Sequence, residues 1–105
     1  MENHLVRVEF SFEGTDLDPL FELEDQLEEA IQKAGVGELD GDEVGQGVAV
    51  IFMYGPDADA LLHAILPVLR SSELIRDGFV LKQYGPPEDG VVEERIELSE
   101  LLLPH

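Results

Sequence analysis

Residues 5–13, L-V-R-V-E-F-S-F-E, alternate apolar and polar without a break. Val6, Val8, Phe10 and Phe12 fall on one face, and Arg7, Glu9, Ser11 and Glu13 on the other. This is the period-two pattern of a half-buried strand. The period then changes. Leu20, Leu23, Leu27, Ala30, Ile31 and Ala34 share a stripe about 100° wide at helical spacing, with Glu22, Asp25 and Glu29 opposite. Thr15-x-x-Asp18 has the form of an N-terminal cap, Pro19 suits the first turn, and Gly35 suits a C-terminal stop.

Residues 36–44 form a weak, acidic strand. Val48 to Tyr54, V-A-V-I-F-M-Y, is much stronger. Val48, Val50, Phe52 and Tyr54 lie on one side and Ala49, Ile51 and Met53 on the other, so both faces are apolar and the strand is expected at the centre of a sheet. A second helix starts at G-P-D-A-D, where Pro56, Asp57 and Asp59 suit an N-terminus, and buries Ala58, Leu61, Leu62, Ile65, Val68 and Leu69. Pro67 should kink it or end it early. Phe79 to Tyr84 reads as a fourth strand, residues 86–90 as a turn, and Val91 to Leu98 as a fifth strand. The apolar end S-E-L-L-L-P-H (99–105) must dock or meet a partner.

The order β-α-β-β-α-β predicts an α+β chain of the ferredoxin-like kind: one domain over 1–105, an antiparallel sheet ordered 4-1-3-2, both helices on one face, and an extra C-terminal strand beside strand four. The other face is then open. Arg7 and Glu9, with Ala49, Ile51, Met53 and Lys82, are expected on it as a partner-binding patch, unless the 99–105 tail covers them.

Charge narrows the partners. Six Lys and Arg stand against 24 Asp and Glu, a formal −18. Such a field repels phosphate backbones and anionic membranes, so no nucleic acid and no membrane is expected as a partner, and a basic protein is. No apolar stretch approaches the roughly 20 residues of a membrane span. The start M-E-N-H has no basic region before an apolar run, and there is no cysteine. Both fit a cytoplasmic protein, and the second excludes thiolate chemistry.

The stretch E-L-D-G-D-E-V-G-Q-G (38–47) looks most like a site. As a calcium loop it would place Asp40 and Asp42 at the first and third positions, but Val44 and Ile51 at the fifth and twelfth cannot ligate as that loop requires. As a phosphate loop it lacks the glycine spacing and a lysine. Gly45-Gln46-Gly47-Val48 is similar to part of the acylphosphatase signature, yet that motif follows strand one and carries an arginine absent here. The leading reading is structural, with a looser site for a hard cation as the minor alternative. Glu38, Asp40, Asp42 and Glu43 form an acidic edge that blocks edge-to-edge pairing, and glycines 45 and 47 supply the positive φ angles of a hairpin. No metal, cofactor or catalytic residue is assigned. His63, one turn after Asp59, reads as a surface pair, and His4 and His105 as terminal residues. Tyr-Gly-Pro occurs at 54–56 and 84–86. In the expected fold strands three and four run antiparallel to each other, so the two copies should lie at opposite ends of the sheet and read as a shared strand stop, not a paired site.

The run D-G-D-E-V-G-Q-G through Y-G-P-D-A-D-A-L, over roughly residues 36–70, resembles small bacterial proteins of uncharacterised function with a ferredoxin-like fold. The resemblance implies that fold and transfers no catalytic residue. The expected function is a non-catalytic, acidic domain that works through protein contacts. It is expected to be a homodimer, and a specific version of the reading is an immunity- or antitoxin-like binder of a basic partner. A regulatory domain holding a small molecule on the open face is one alternative, and a small ferredoxin-like enzyme of the dimeric monooxygenase type is another.

Overall fold

Among the described residues, eight elements follow one another: β1 (His4–Ser11), α1 (Asp18–Ala34), β2 (Glu38–Gly45), β3 (Val48–Gly55), α2 (Ala58–Ser71), β4 (Phe79–Gln83), β5 (Glu93–Glu97) and α3 (Leu98–Leu101). The computed structural model describes residues 3–85 and 90–102. Most of the turn expected at 86–90, and His105, lie outside them. The five strands form one antiparallel sheet in the order β2-β3-β1-β4-β5, so the chain is α+β with an open sheet.

β1 is the middle strand because it is apolar enough to be paired on both edges and covered on one face. Val6 lies between Met53 and Lys82, and Val8 between Ile51 and Val80; Phe10 pairs with Ala49. These apolar residues are closed to solvent beneath Leu20, Leu23, Leu27 and Ile31 of α1 and Leu61, Leu62, Ile65 and Leu69 of α2. Each large aliphatic side chain so buried contributes about 1.5–3 kcal/mol.

The helix ends differ in part from expectation. Gly35 adopts the left-handed conformation (φ 66°) and donates its N–H to Ile31 and Gln32 carbonyls, closing α1 as its position suggested. Thr15 is not the cap. Leu17 occupies that position without a side-chain bond, and Asp16 Oδ1 accepts from the Asp18 N–H instead. On α2 the Asp57 carboxylate accepts from the Asp59 and Ala60 N–H groups. Pro67 does not end α2, which runs on to Ser71. The carbonyl that loses its intrahelical donor belongs to His63, an exposed residue where water can satisfy it.

Two local features set the β2 edge. Gly45 pairs with Val48, leaving Gln46 and Gly47 as a two-residue turn, both at positive φ (54° and 79°). The turn thus uses residues 46 and 47, not 45 and 47, as its strained pair. Nearer the strand start the register shifts between Leu39 and Gly41, so Asp40 is the extra residue of a β-bulge. The bulge turns Gly41 and Glu43 to one face of the sheet, opposite Phe52 and Val50, and Asp42 and Val44 to the helix face.

The C-terminal segment joins the helix layer. Leu98 is fully buried, its N–H bonds to the Gly78 carbonyl, and Arg70 of α2 donates to the Leu101 carbonyl. Residues 98–102 therefore do not lie over the open face.

Candidate functional site

The register decides which side chains face away from the helices. Ala49, Ile51 and Met53 pair with Phe10, Val8 and Val6 and are fully buried under the helices, so they are core and not the exposed patch that the sequence suggested. Both sides of β3 are apolar, and the pattern alone does not say which is inside. Two chemical cues favoured the observed choice: small Ala49 lets a helix approach closely, and the Tyr54 hydroxyl suits a wet face. Lys82, too, pairs with Val6 on the helix side and is not on the open face. Arg7 is on it, as expected.

The open face carries Leu5, Arg7, Glu9 and Ser11 of β1, Val48, Val50, Phe52 and Tyr54 of β3, and Phe79, Leu81 and Gln83 of β4. The large apolar residues among them are half-buried. Its margins are charged: Glu38 and Glu43 from β2, and Glu93, Arg95 and Glu97 from β5. The Arg95 guanidinium stacks on the Phe79 ring at 3.9 Å from its centre and reaches Glu97 at 3.1 Å. Arg7 lies 5.9 Å from the same ring, and its Nε is buried without a hydrogen-bond partner. On the β2–β3 side, a groove of about 370 Å³ is lined by Asp40, Gly41, Asp42, Glu43, Phe52 and Tyr54.

The acidic edge is thus divided. Glu38 and Glu43 face the open side, Asp40 sits in the bulge, and Asp42 turns toward α1. There it meets Glu24, whose carboxyl is pushed up to about 7, first by burial and then by the hydrogen bond and negative charge of Asp42.

A second polar cluster went unseen in the sequence. β3 and β4 both run antiparallel to β1, so they are parallel to each other. Tyr54-Gly55 and Tyr84-Gly85 therefore end at the same end of the sheet, beside His4, contrary to the expected separation. At that end Lys82 Nζ lies 2.8 Å from Asp59 Oδ1 and 2.6 Å from Glu94 Oε1, and the Tyr84 hydroxyl donates to Asp59 at 2.6 Å. His4 Nδ1 accepts from the Ala58 N–H and its ring packs edge-on against Tyr84. Asp59 is thus engaged with residues distant in sequence, not with His63 as its neighbour on the helix. Only the topology brings these groups together.

The chemistry of this cluster is that of a clamp. Burial acts to lower the Lys82 pKa, but its bonds to Asp59, Glu94 and Tyr84 outweigh burial and hold it above the ordinary value. Lys82 in turn holds Asp59 and Glu94 below theirs, while burial and Asp59 raise Tyr84. A lysine base or Schiff-base nucleophile needs the opposite shift. Among the described residues, no three His, Asp or Glu side chains gather as a metal ion's ligands would. No helix among them is long and apolar enough to cross a membrane. No family model, curated protein or solved structure matches the chain.

Proposed function

We propose that this chain is a non-catalytic protein-contact domain on a ferredoxin-like frame, and that the open sheet face is its contact surface. One observation carries the reading: Val48, Val50 and Phe52 of β3 and Phe79 and Leu81 of β4 form two apolar strips on either side of Leu5, Arg7 and Glu9 of β1, and no second layer among the described residues covers this face. The face spans roughly 25 Å by 25 Å, about 600 Å² in projection. That approaches the ~800 Å² per partner of a standard interface. Lys82, the best-placed group for chemistry, is locked in its charged form by its carboxylate partners.

A photo-reactive side chain placed at Val50, on the open face, and another at exposed Gln32, on α1, test the reading in cells. A discrete protein adduct at Val50 and none at Gln32 is expected. Adducts at neither site, or only at Gln32, would sink it. A homodimer through the same face is the second form of this reading, and the size of the face suits it. It would bring Glu9, Glu38, Glu43, Glu93 and Glu97 of one copy against those of the other, which makes it the weaker form.

A further inference from the structure

Resting on the contact reading above, the geometry points to a different, basic protein as the occupant of the open face, with an arginine side chain of that partner seated in the Phe52–Tyr54 groove. The β4 half of the face shows what such a seat looks like. There Phe79, an arginine and an acid form one unit, with Arg95 over the ring and paired with Glu97. The β2–β3 half repeats the aromatic and the acid without the cation. Phe52 and Tyr54 stand beside Asp40 and Glu43, and Gly41, directly opposite Phe52, has no side chain to cover the ring. A guanidinium there would meet an aromatic face and carboxylates together, the combination that strengthens both interactions.

No Lys or Arg of the chain lines the seat, although Arg7 pairs across the sheet from Phe52 and its buried Nε has no hydrogen-bond partner. Lys33 pairs with Glu29, Lys82 is in the clamp, Arg7 and Arg95 are on Phe79, and Arg70 and Arg76 donate to the Leu101 and Glu73 carbonyls. A second copy brings the same six cations and 24 more acids, so charge complementarity selects a heterologous basic partner. The formal −18 then steers that partner from a distance, and association should slow as salt rises.

The test uses the isotope-labelled chain at physiological ionic strength, titrated with acetyl-Arg-Arg-Arg-amide and, as control, acetyl-Glu-Glu-Glu-amide. The arginine peptide should shift the amides of Gly41, Glu43, Val50, Phe52 and Tyr54, and the acidic peptide none of them. Phe52→Leu should weaken the arginine peptide about threefold. Glu43→Gln should weaken it by about twofold, and Glu28→Gln on α1 not at all. Shifts spread evenly over the α1 acids, or equal affinity of Phe52→Leu and the parent, would overturn the arginine seat. If the Val50 adducts persist while the peptide fails to find the groove, the cationic occupant falls and the contact reading stands. Absence of the adducts removes the contact reading itself.

Discussion

Gln46 is the one non-glycine position at positive φ among the described residues. A left-handed conformation costs an ordinary residue about 1 kcal/mol, and asparagine tolerates it better. Gln46→Asn should therefore raise the unfolding midpoint in urea by an amount worth up to about 1 kcal/mol, with unchanged slope. Lys82 poses the opposite case, a residue whose loss is felt through its partners. Lys82→Met keeps most of the buried stem but leaves Asp59 and Glu94 without their cation. Because both carboxylates are largely exposed, the cost should be only about 1–2 kcal/mol in chemical denaturation. The pH dependence sharpens the test. Asp59 and Glu94 have lowered pKa values in the fold, so they stabilise it above the ordinary carboxylate range, and that contribution is lost as pH falls through their folded values. In Lys82→Met that acid-side loss should flatten.

Between elements, α1 meets β2 in part through a carboxyl pair, Glu24 and Asp42. Glu24 has a raised folded pKa, about 7, so its contribution is fully present below the ordinary Glu value and is lost as pH rises toward and through 7. Thermal scans from pH 5 to pH 8 should show the midpoint falling over that window. Glu24→Gln keeps the shape and removes the proton, so it should match the parent at pH 5 and exceed it by about 1–2 kcal/mol at pH 8. This pair also marks the limit of the sequence reading. Strict alternation in residues 5–13 and the helical stripe from Leu20 to Ala34 place β1 and α1 to within a few residues, because each element has only one apolar side. β3 has two, and its inner side depends on register with β1, a non-local quantity. Asp42 faces α1 only because Asp40 bulges, and one acid among four carries no sign of that. The clamp of Lys82, Asp59, Tyr84, Glu94 and His4 spans four elements and the segment after β4, with no local spacing to betray it.

At the scale of the whole molecule, the small cation count governs behaviour. Light scattering at micromolar concentration should give the mass of a single chain, since like faces meet acid to acid; a stable dimer would reinstate the homotypic form. The arrangement of the sheet also constrains how the chain comes to be folded. Val8 finds its neighbours in Ile51 and Val80, so the first strand made is completed last. The β2–β3 hairpin closes through a two-residue turn and can form as soon as both strands exist. During synthesis, Val6 and Val8 stay without their β4 partners until most of the chain has emerged. Nascent chains halted before residue 79 should therefore expose the N-terminal segment to proteases and chaperones, and release past β5 should bury it.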